Sequence, residues 1–441
     1  MKNSVFSLLL LLYFWSNGFS QTFNKAKMDS LFDVLASKEK AMGSIAVSKN
    51  GNLLYTRAIG NVSMDGKEII PADANTKYRI GSITKMFTAV IIFQLVEEKK
   101  LSLNDKLDKY YPAIPNAGKI SIADMLRHQS GIHNFTDDST YFSYYYLPHT
   151  QQSILDIITA TKPDFEPGTQ TAYSNSNYVL LGYIAEMITR KKYDDLVKQR
   201  IIKKIPLTNT YVGGKTDISK HEAYSYHFIS SWEKEIETDM SVPAGAGSIV
   251  STATDLTKFI EALFNGKLID TTSLANMKTI KNNFGMGMFQ IPFYEKRALG
   301  HSGSIDGFVS NLAYFPEDSL TIAYCSNGVV YPVNDIMIGI LSICYNKKYS
   351  IPTFTKVELN NDDIMKYLGE YASDDIPLKI TISRMDNTLI AQATGQSSFP
   401  LEASAKDIFK FDPAGIVIEF DIPNQSFTLK QGGKKYLFKK E

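Results

Sequence analysis

Gly81-Ser82-Ile83-Thr84-Lys85-Met86 is the stretch around which the rest of this chain organises. Behind it Met86, Val90 and Leu95 recur at helical spacing, and the pattern runs out near Lys99-Lys100. Residues three apart share one face of a helix, so the Lys85 amine can reach the Ser82 hydroxyl. A serine hydroxyl is a poor nucleophile until a base takes its proton. Lysine is such a base only when neutral, which demands burial or a neighbouring positive charge. The helix N-terminus adds a partial positive field that favours a developing anion. Standing alone, Ser-x-x-Lys at a helix start reads more simply as an N-cap followed by a solvated lysine.

Working outward, Phe23, Leu31, Phe32 and Leu35 give a helical pattern over 22–38. Ile45 to Val47 and Leu53 to Ala58 read as a β-hairpin, because Asn50-Gly51 supplies a left-handed turn. Residues 105–250 are rich in helix and loop, with helical runs at Ile122 to Arg127, Ser153 to Thr161 and Tyr178 to Thr189. Strand character returns at Met286 to Pro292, Arg297 to His301, Phe308 to Phe315 and Leu320 to Ser326, the last two joined by Pro316-Glu317-Asp318-Ser319. A helix from Val333 to Cys344 follows. The order predicts an α+β fold: one antiparallel sheet built from both ends, flanked by helices, with the helical region as a second lobe. Beyond about 355, short alternating runs separated by turns such as Asp386-Asn387 and Gly432-Gly433 predict a small all-β sandwich or barrel. The expected division is 1–20 leader, 21–355 main domain and 356–441 β module.

The chain has 441 residues, 44% apolar and 21% charged, the composition of a globular protein with one large domain and an appendage. A formal net charge of +1 gives no sign of a nucleic-acid or anionic-membrane partner. Lys2, the apolar run Val5 to Trp15 and the small residues of Ser16-Asn17-Gly18-Phe19-Ser20 read as a secretory signal peptide, too short for a membrane span. Export to the periplasm or the outside is therefore expected, with no stable span after cleavage. Export permits a disulfide between Cys325 and Cys344, but two small buried thiols are the favoured reading, and neither has a His or basic neighbour to activate it.

Two further segments carry chemistry. Tyr173-Ser174-Asn175 follows Glu166-Pro167-Gly168 and precedes the helix expected near Tyr178. Its phenol could hand a proton to a leaving group, and Asn175 could donate to a substrate acyl chain. Gly300-His301-Ser302-Gly303-Ser304 closes a predicted strand. A strand edge beside the nucleophile can present a backbone N–H to an oxyanion, and Gly303 would allow close approach. The backbone amides of Ser82 and Ser304 are the expected oxyanion hole.

Together, the order and contexts of the three segments resemble the serine β-lactamase and penicillin-binding-protein superfamily. The nearest branch is the class C β-lactamase-like group, with its D-Ala-D-Ala carboxypeptidases, D-aminopeptidases and esterases. The likeness covers roughly 25–345 and extends to Leu126-Arg127-His128-Gln129-Ser130-Gly131-Ile132, Phe165-Glu166-Pro167-Gly168 and Ala246-Gly247-Ser248-Ile249-Val250-Ser251-Thr252. The resemblance implies Ser82 as acylated nucleophile and Lys85 with Tyr173 as its proton-handling pair. It implies Asn175 as substrate orienter, and His301, Gly303 and Ser304 along the facing wall, without metal or cofactor. The substrate would be a small molecule or short peptide, possibly from the cell wall: a D-amino-acid peptide, β-lactam or small ester. The sequence leaves the oligomeric state open. The third segment departs from the pattern by opening with His301 where β-lactamases carry a lysine that helps bind a carboxylate, and a largely neutral imidazole is a weaker anion site. The β module resembles the small barrel-like extensions of some members. A catalytically silent peptidoglycan- or peptide-binding protein of the same fold is the alternative. The six histidines include no His-Glu-x-x-His pair, and neither a Gly-x-Ser-x-Gly elbow nor a phosphate-binding glycine loop occurs.

Overall fold

A computed structural model describes residues 23–64, 69–354, 361–411 and 414–441. The expected leader, residues 1–20, lies outside them.

The main sheet has six antiparallel strands, in the order Phe289–Phe293, Lys296–Ile305, Phe308–Phe315, Leu320–Val329, Ala41–Lys49, Asn52–Ile59. The two ends of the domain meet where Ala41–Lys49 pairs with Leu320–Val329, Ala46 opposite Ala323. Asn50 and Gly51 make the hairpin turn, both at positive φ. Period-2 alternation then sorts the side chains. Ile45, Val47, Ile322 and Tyr324 face one core with the Lys25–Ser37 and Val333–Cys344 helices. Ala46, Leu312, Ala323 and Cys325 face a second, larger core shared with the helical lobe.

The Thr84–Glu97 helix runs through that second core, and every residue from Thr84 to Leu95 is buried. A helix apolar on all sides has to be interior. Phe87 stacks on Phe259 of the Ala253–Phe264 helix at 3.8 Å between ring centroids. Lys85 is the one charged side chain carried into the interior by this helix.

Two boundaries beside the nucleophile differ from the sequence reading. The helix after Tyr173 begins at Asn175, three residues earlier than expected, with Ser174 as N-cap. The Lys296–Ile305 strand does not stop at His301 but continues through the whole third segment. Pairing with Phe308–Phe315 persists there, Gly303 opposite Ser310 and Ile305 opposite Phe308.

The C-terminal module is a closed eight-stranded barrel running from Gly369 to Lys440, which decides between sandwich and barrel. Its interior is filled by rings: Tyr371 and Phe438 each lie under 5 Å from Phe427, centroid to centroid. Eight strands leave room for little more than such side chains. Lys40 of the main domain pairs with Glu402 of the barrel. Cys325 and Cys344 are free, and burial raises both thiol pKa values. No helix among the described residues is long and apolar enough to cross a membrane.

Candidate active site

Ser82 lies in a single 3-10 turn, Gly81–Ile83, that leads into the buried helix. The Lys85 Nζ stands 3.0 Å from Ser82 Oγ, and the Tyr173 hydroxyl donates to the same oxygen across 2.7 Å. The three residues named from sequence therefore meet at one hydroxyl, although 91 positions separate Ser82 from Tyr173.

The surroundings of Lys85 are polar but uncharged. Its Nζ donates to Asn175 Oδ1 at 2.7 Å and to the Ala246 carbonyl at 2.9 Å. No carboxylate is in the set, and full burial drives the lysine pKa well below its ordinary value near 10.5. A neutral amine has two N–H bonds, which match these two acceptors, and one lone pair, which is left for the Ser82 proton. Burial pushes the Tyr173 phenol the other way, upward, with the Ser82 contact opposing it in part. Near neutral pH it stays a donor.

Asn175 is held by Thr136 Oγ1, to which its Nδ2 donates at 3.0 Å, so one amide hydrogen remains uncommitted there. Gly303 and Gly81 bring the strand against the nucleophile. A Cβ on Gly303 would lie 2.0 Å from the Ile80 carbonyl and 2.9 Å from the Ser82 nitrogen. One on Gly81, at φ +50°, would lie 2.8 Å from the Ser304 nitrogen. The Ser82 and Ser304 backbone segments thus pack at a distance that only glycine allows.

His301 and Gly303 stand behind the cleft wall rather than in it. His301 is 3% exposed, packed 4.5 Å from the Phe289 ring, and its Nδ1 contacts the Ser302 carbonyl. Desolvation takes its pKa down to about 3, so it is a neutral ring, not an anion site. Ring stacking at 4.6 Å sets His128 against Tyr173, and its Nδ1 accepts the Ser174 N–H. Burial lowers its pKa strongly.

A cleft of about 400 Å³ opens from Ser82. Ser304, Ile305 and Asp306 line it, together with Phe135, Tyr141, Phe142 and Tyr145. Beneath it Arg79 is buried between Glu237 at 2.7 Å and Asp306 at 3.0 Å. The sequence reading named none of Arg79, Glu235, Asp306 or the Tyr141–Tyr145 aromatics. The Tyr- and Phe-rich run Tyr141-Phe142-Ser143-Tyr144-Tyr145-Tyr146 was the available signal, because so many rings in one short segment exceed what a local core needs. Among the described residues, no group of three or more His, Cys, Asp or Glu is placed to hold a metal ion.

A serine whose oxygen touches a buried amine and a phenol, beside a glycine-backed strand, is an arrangement of the serine-hydrolase type. The Beta-lactamase family matches residues 31–339, more than half of the chain, and the protein belongs to that family. It is similar to Penicillin-binding protein 4* of Bacillus subtilis, at 26% identity over 93% of this chain and 98% of the relative. In structure it resembles the D-amino acid amidase of Ochrobactrum anthropi complexed with D-phenylalanine, with a TM-score of 0.63 at 24% identity. That likeness covers 73% of this chain and 99% of the other. An octameric penicillin-binding protein homologue from Pyrococcus abyssi gives 0.64 at 22% identity and covers 94% of this chain and 99% of its own, barrel region included. These likenesses agree with an α+β serine β-lactamase/penicillin-binding-protein fold and hydrolase-type chemistry.

Proposed function

We propose that the protein is an exported hydrolase that forms an acyl-enzyme on Ser82, acting on D-amino-acid peptides, β-lactams or small esters. The observation that carries the reading is the meeting of Lys85 Nζ, at 3.0 Å, and the Tyr173 hydroxyl, at 2.7 Å, on Ser82 Oγ, with no carboxylate beside the lysine to hold it charged. As Ser82 Oγ bonds to the acyl carbon, its proton passes to Lys85 Nζ. The carbonyl electrons move to oxygen, where the Ser82 and Ser304 backbone N–H groups receive the charge. Collapse of that intermediate breaks the bond to the leaving group, which takes the Tyr173 proton, and Lys85 re-protonates Tyr173. Water then enters by the same path in reverse, giving its proton to the base pair and releasing the acid. The protons of Lys85 and Tyr173 form one coupled system.

Asn175 directs its remaining N–H to the acyl chain, while His301 and Gly303 support the wall from behind. The neutral His301 removes the cation that would hold a substrate carboxylate, which disfavours efficient β-lactam turnover. The reaction needs no cofactor. Residues 1–20 serve as the export signal, placing the protein in the periplasm or outside the cell. The D-amino acid amidase likeness supports an amide substrate from a D-amino acid among the options.

A fluorophosphonate probe or fluorescent penicillin tests the reading. Stoichiometric labelling that vanishes in Ser82→Ala supports it; an unlabelled wild-type protein would instead mark a silent binding protein.

A further inference from the structure

Two backbone segments meet beside the nucleophile, and glycine alone does not hold them there. Ser304 turns both its nitrogen and its oxygen toward the Ser82 turn: a Cβ on Gly81 would lie 2.8 Å from the one and 2.9 Å from the other. In an extended strand the N–H and C=O of one residue point the same way, so the Ser304 N–H is offered to the nucleophile's side. Glycine permits this approach but supplies no force that fixes the gap. Side chains do that. Ser310 Oγ donates to the Ile80 carbonyl at 2.8 Å, and Arg79 Nη1 donates to Asp306 at 3.0 Å.

The ion pair spans both segments. Arg79 precedes Ser82 by three residues, and Asp306 follows Ser304 by two. Asp306 sits in the tight turn between the paired Ile305 and Phe308 at φ +51°, a left-handed conformation that is costly for a residue with a side chain. From there its carboxylate turns inward. The side chain is 1% exposed, and Thr238 gives its other oxygen both a backbone N–H and a hydroxyl. Glu237, the second carboxylate on Arg79, faces another way: it accepts from Arg79 Nη2 at 2.7 Å and from the Thr216 N–H at 3.0 Å, which links Arg79 to a loop and not to the strand. Resting on the reading of the Ser82 and Ser304 amides as the oxyanion hole, we infer that Arg79 and Asp306 are a positioning pair that sets the spacing of those two N–H groups. The pair takes no part in the proton relay of Lys85 and Tyr173, so its loss should weaken transition-state stabilisation while leaving the base intact.

Phosphonylation of the full-length protein by a fluorophosphonate reads the hole, because charge develops on the phosphoryl oxygen. Asp306→Asn keeps the shape of the side chain and leaves Arg79 compensated by Glu237. Its limiting labelling rate should fall roughly ten- to a hundred-fold, short of the ~10² to 10³ for losing a donor outright, with the half-saturating probe concentration and the pH midpoint unchanged. The phosphorus NMR resonance of the adduct should move toward that of the unfolded adduct. Thr238→Val, which removes one donor to Asp306, should move both readouts the same way but less. Glu237→Gln should lower stability yet leave rate and resonance as in the wild type, an outcome that a merely structural role for the cluster does not produce. A wild-type rate and resonance in Asp306→Asn, a shifted pH midpoint, or an equal loss in Glu237→Gln would overturn the inference. So would unchanged readouts in Thr238→Val should Asp306→Asn not fold. A wild-type protein that does not label would overturn the hydrolase reading itself, and the positioning role with it.

Discussion

Two buried cations stand a few residues apart in this sequence and are treated in opposite ways. Arg79 is buried with two carboxylates and two backbone carbonyls, of Thr238 and Gly214, around its guanidinium. Lys85 is buried with an amide oxygen, a carbonyl and a hydroxyl, and no counter-charge. The first arrangement keeps a permanent charge satisfied and ties Thr238 and Asp306 to the strand that ends beside Ser82. The second makes the charged form of lysine expensive, so the amine waits as a free base. One burial builds the cleft; in the proposed reaction the other supplies its chemistry. The lesson is that a counter-ion, rather than depth of burial, separates a structural cation from a reactive one.

Removing the reactive member should give the largest effect. Lys85→Met should lower acylation by ~10² to 10⁴-fold, the scale for losing a proton-transfer group, read from the rate of Ser82 labelling. Near-wild-type rates would mean that the base is elsewhere. Breaking the structural member should be felt in stability instead. Arg79→Met strands Asp306 in a buried site and should cost roughly 3–5 kcal/mol, the usual penalty for unpairing a buried ion, measured by denaturant unfolding. A smaller loss, under ~1 kcal/mol, would show that water or Thr238 already compensates Asp306.

The sharpest version converts one burial into the other. Asn175→Asp sets a carboxylate where an amide oxygen now lies 2.7 Å from Lys85 Nζ. The opposite charge should raise the lysine pKa, so acylation near pH 7 should fall by roughly ten-fold or more and recover as pH rises. Loss that is the same at every pH would point to broken geometry rather than to protonation.

How far the sequence carried this account differs between the two cations as well. Ser82, Lys85 and Tyr173 were legible because helix periodicity places the first two on one face, and because the family likeness binds the third to them. Arg79 and Glu235 were not. The carboxylates that pair with Arg79 lie more than a hundred residues away, and the Glu235 neighbour His227 sits on the short strand Tyr226–Phe228, with no periodic pattern. The sheet, the hairpin at Asn50-Gly51 and the Val333–Cys344 helix could be read from alternation and turn chemistry. Barrel strands such as Phe399–Ala405 were missed, since Pro400, Ala403 and Ala405 lower β-propensity and only pairing with neighbours makes that run a strand. The third segment was cut short at His301 for a related reason: Ser302, Gly303 and Ser304 are poor strand formers held by register.

A separate effect expected is acid lability. His128 and His301 are buried as neutral rings with lowered pKa values, His301 down to about 3. The unfolded chain binds protons at these groups below about pH 6.5 while the folded state does not, so stability falls as pH drops from there toward the folded values. The slope is on the order of 1 kcal/mol per pH unit for each ring. Thermal melts between pH 4 and 7 should show it, and His301→Gln should flatten the dependence; an unchanged slope would assign it to other groups.

Most direct for the contrast between the two cations is the pH profile of Ser82 acylation by a fluorophosphonate, followed by mass or fluorescence. If Lys85 sits as a free amine, the rate climbs with pH along a titration lying well below 10.5 and is already substantial at neutrality. A rate negligible at pH 7 that grows only on approach to pH 10 would show the lysine to be charged at rest, and the proposed base would be lost.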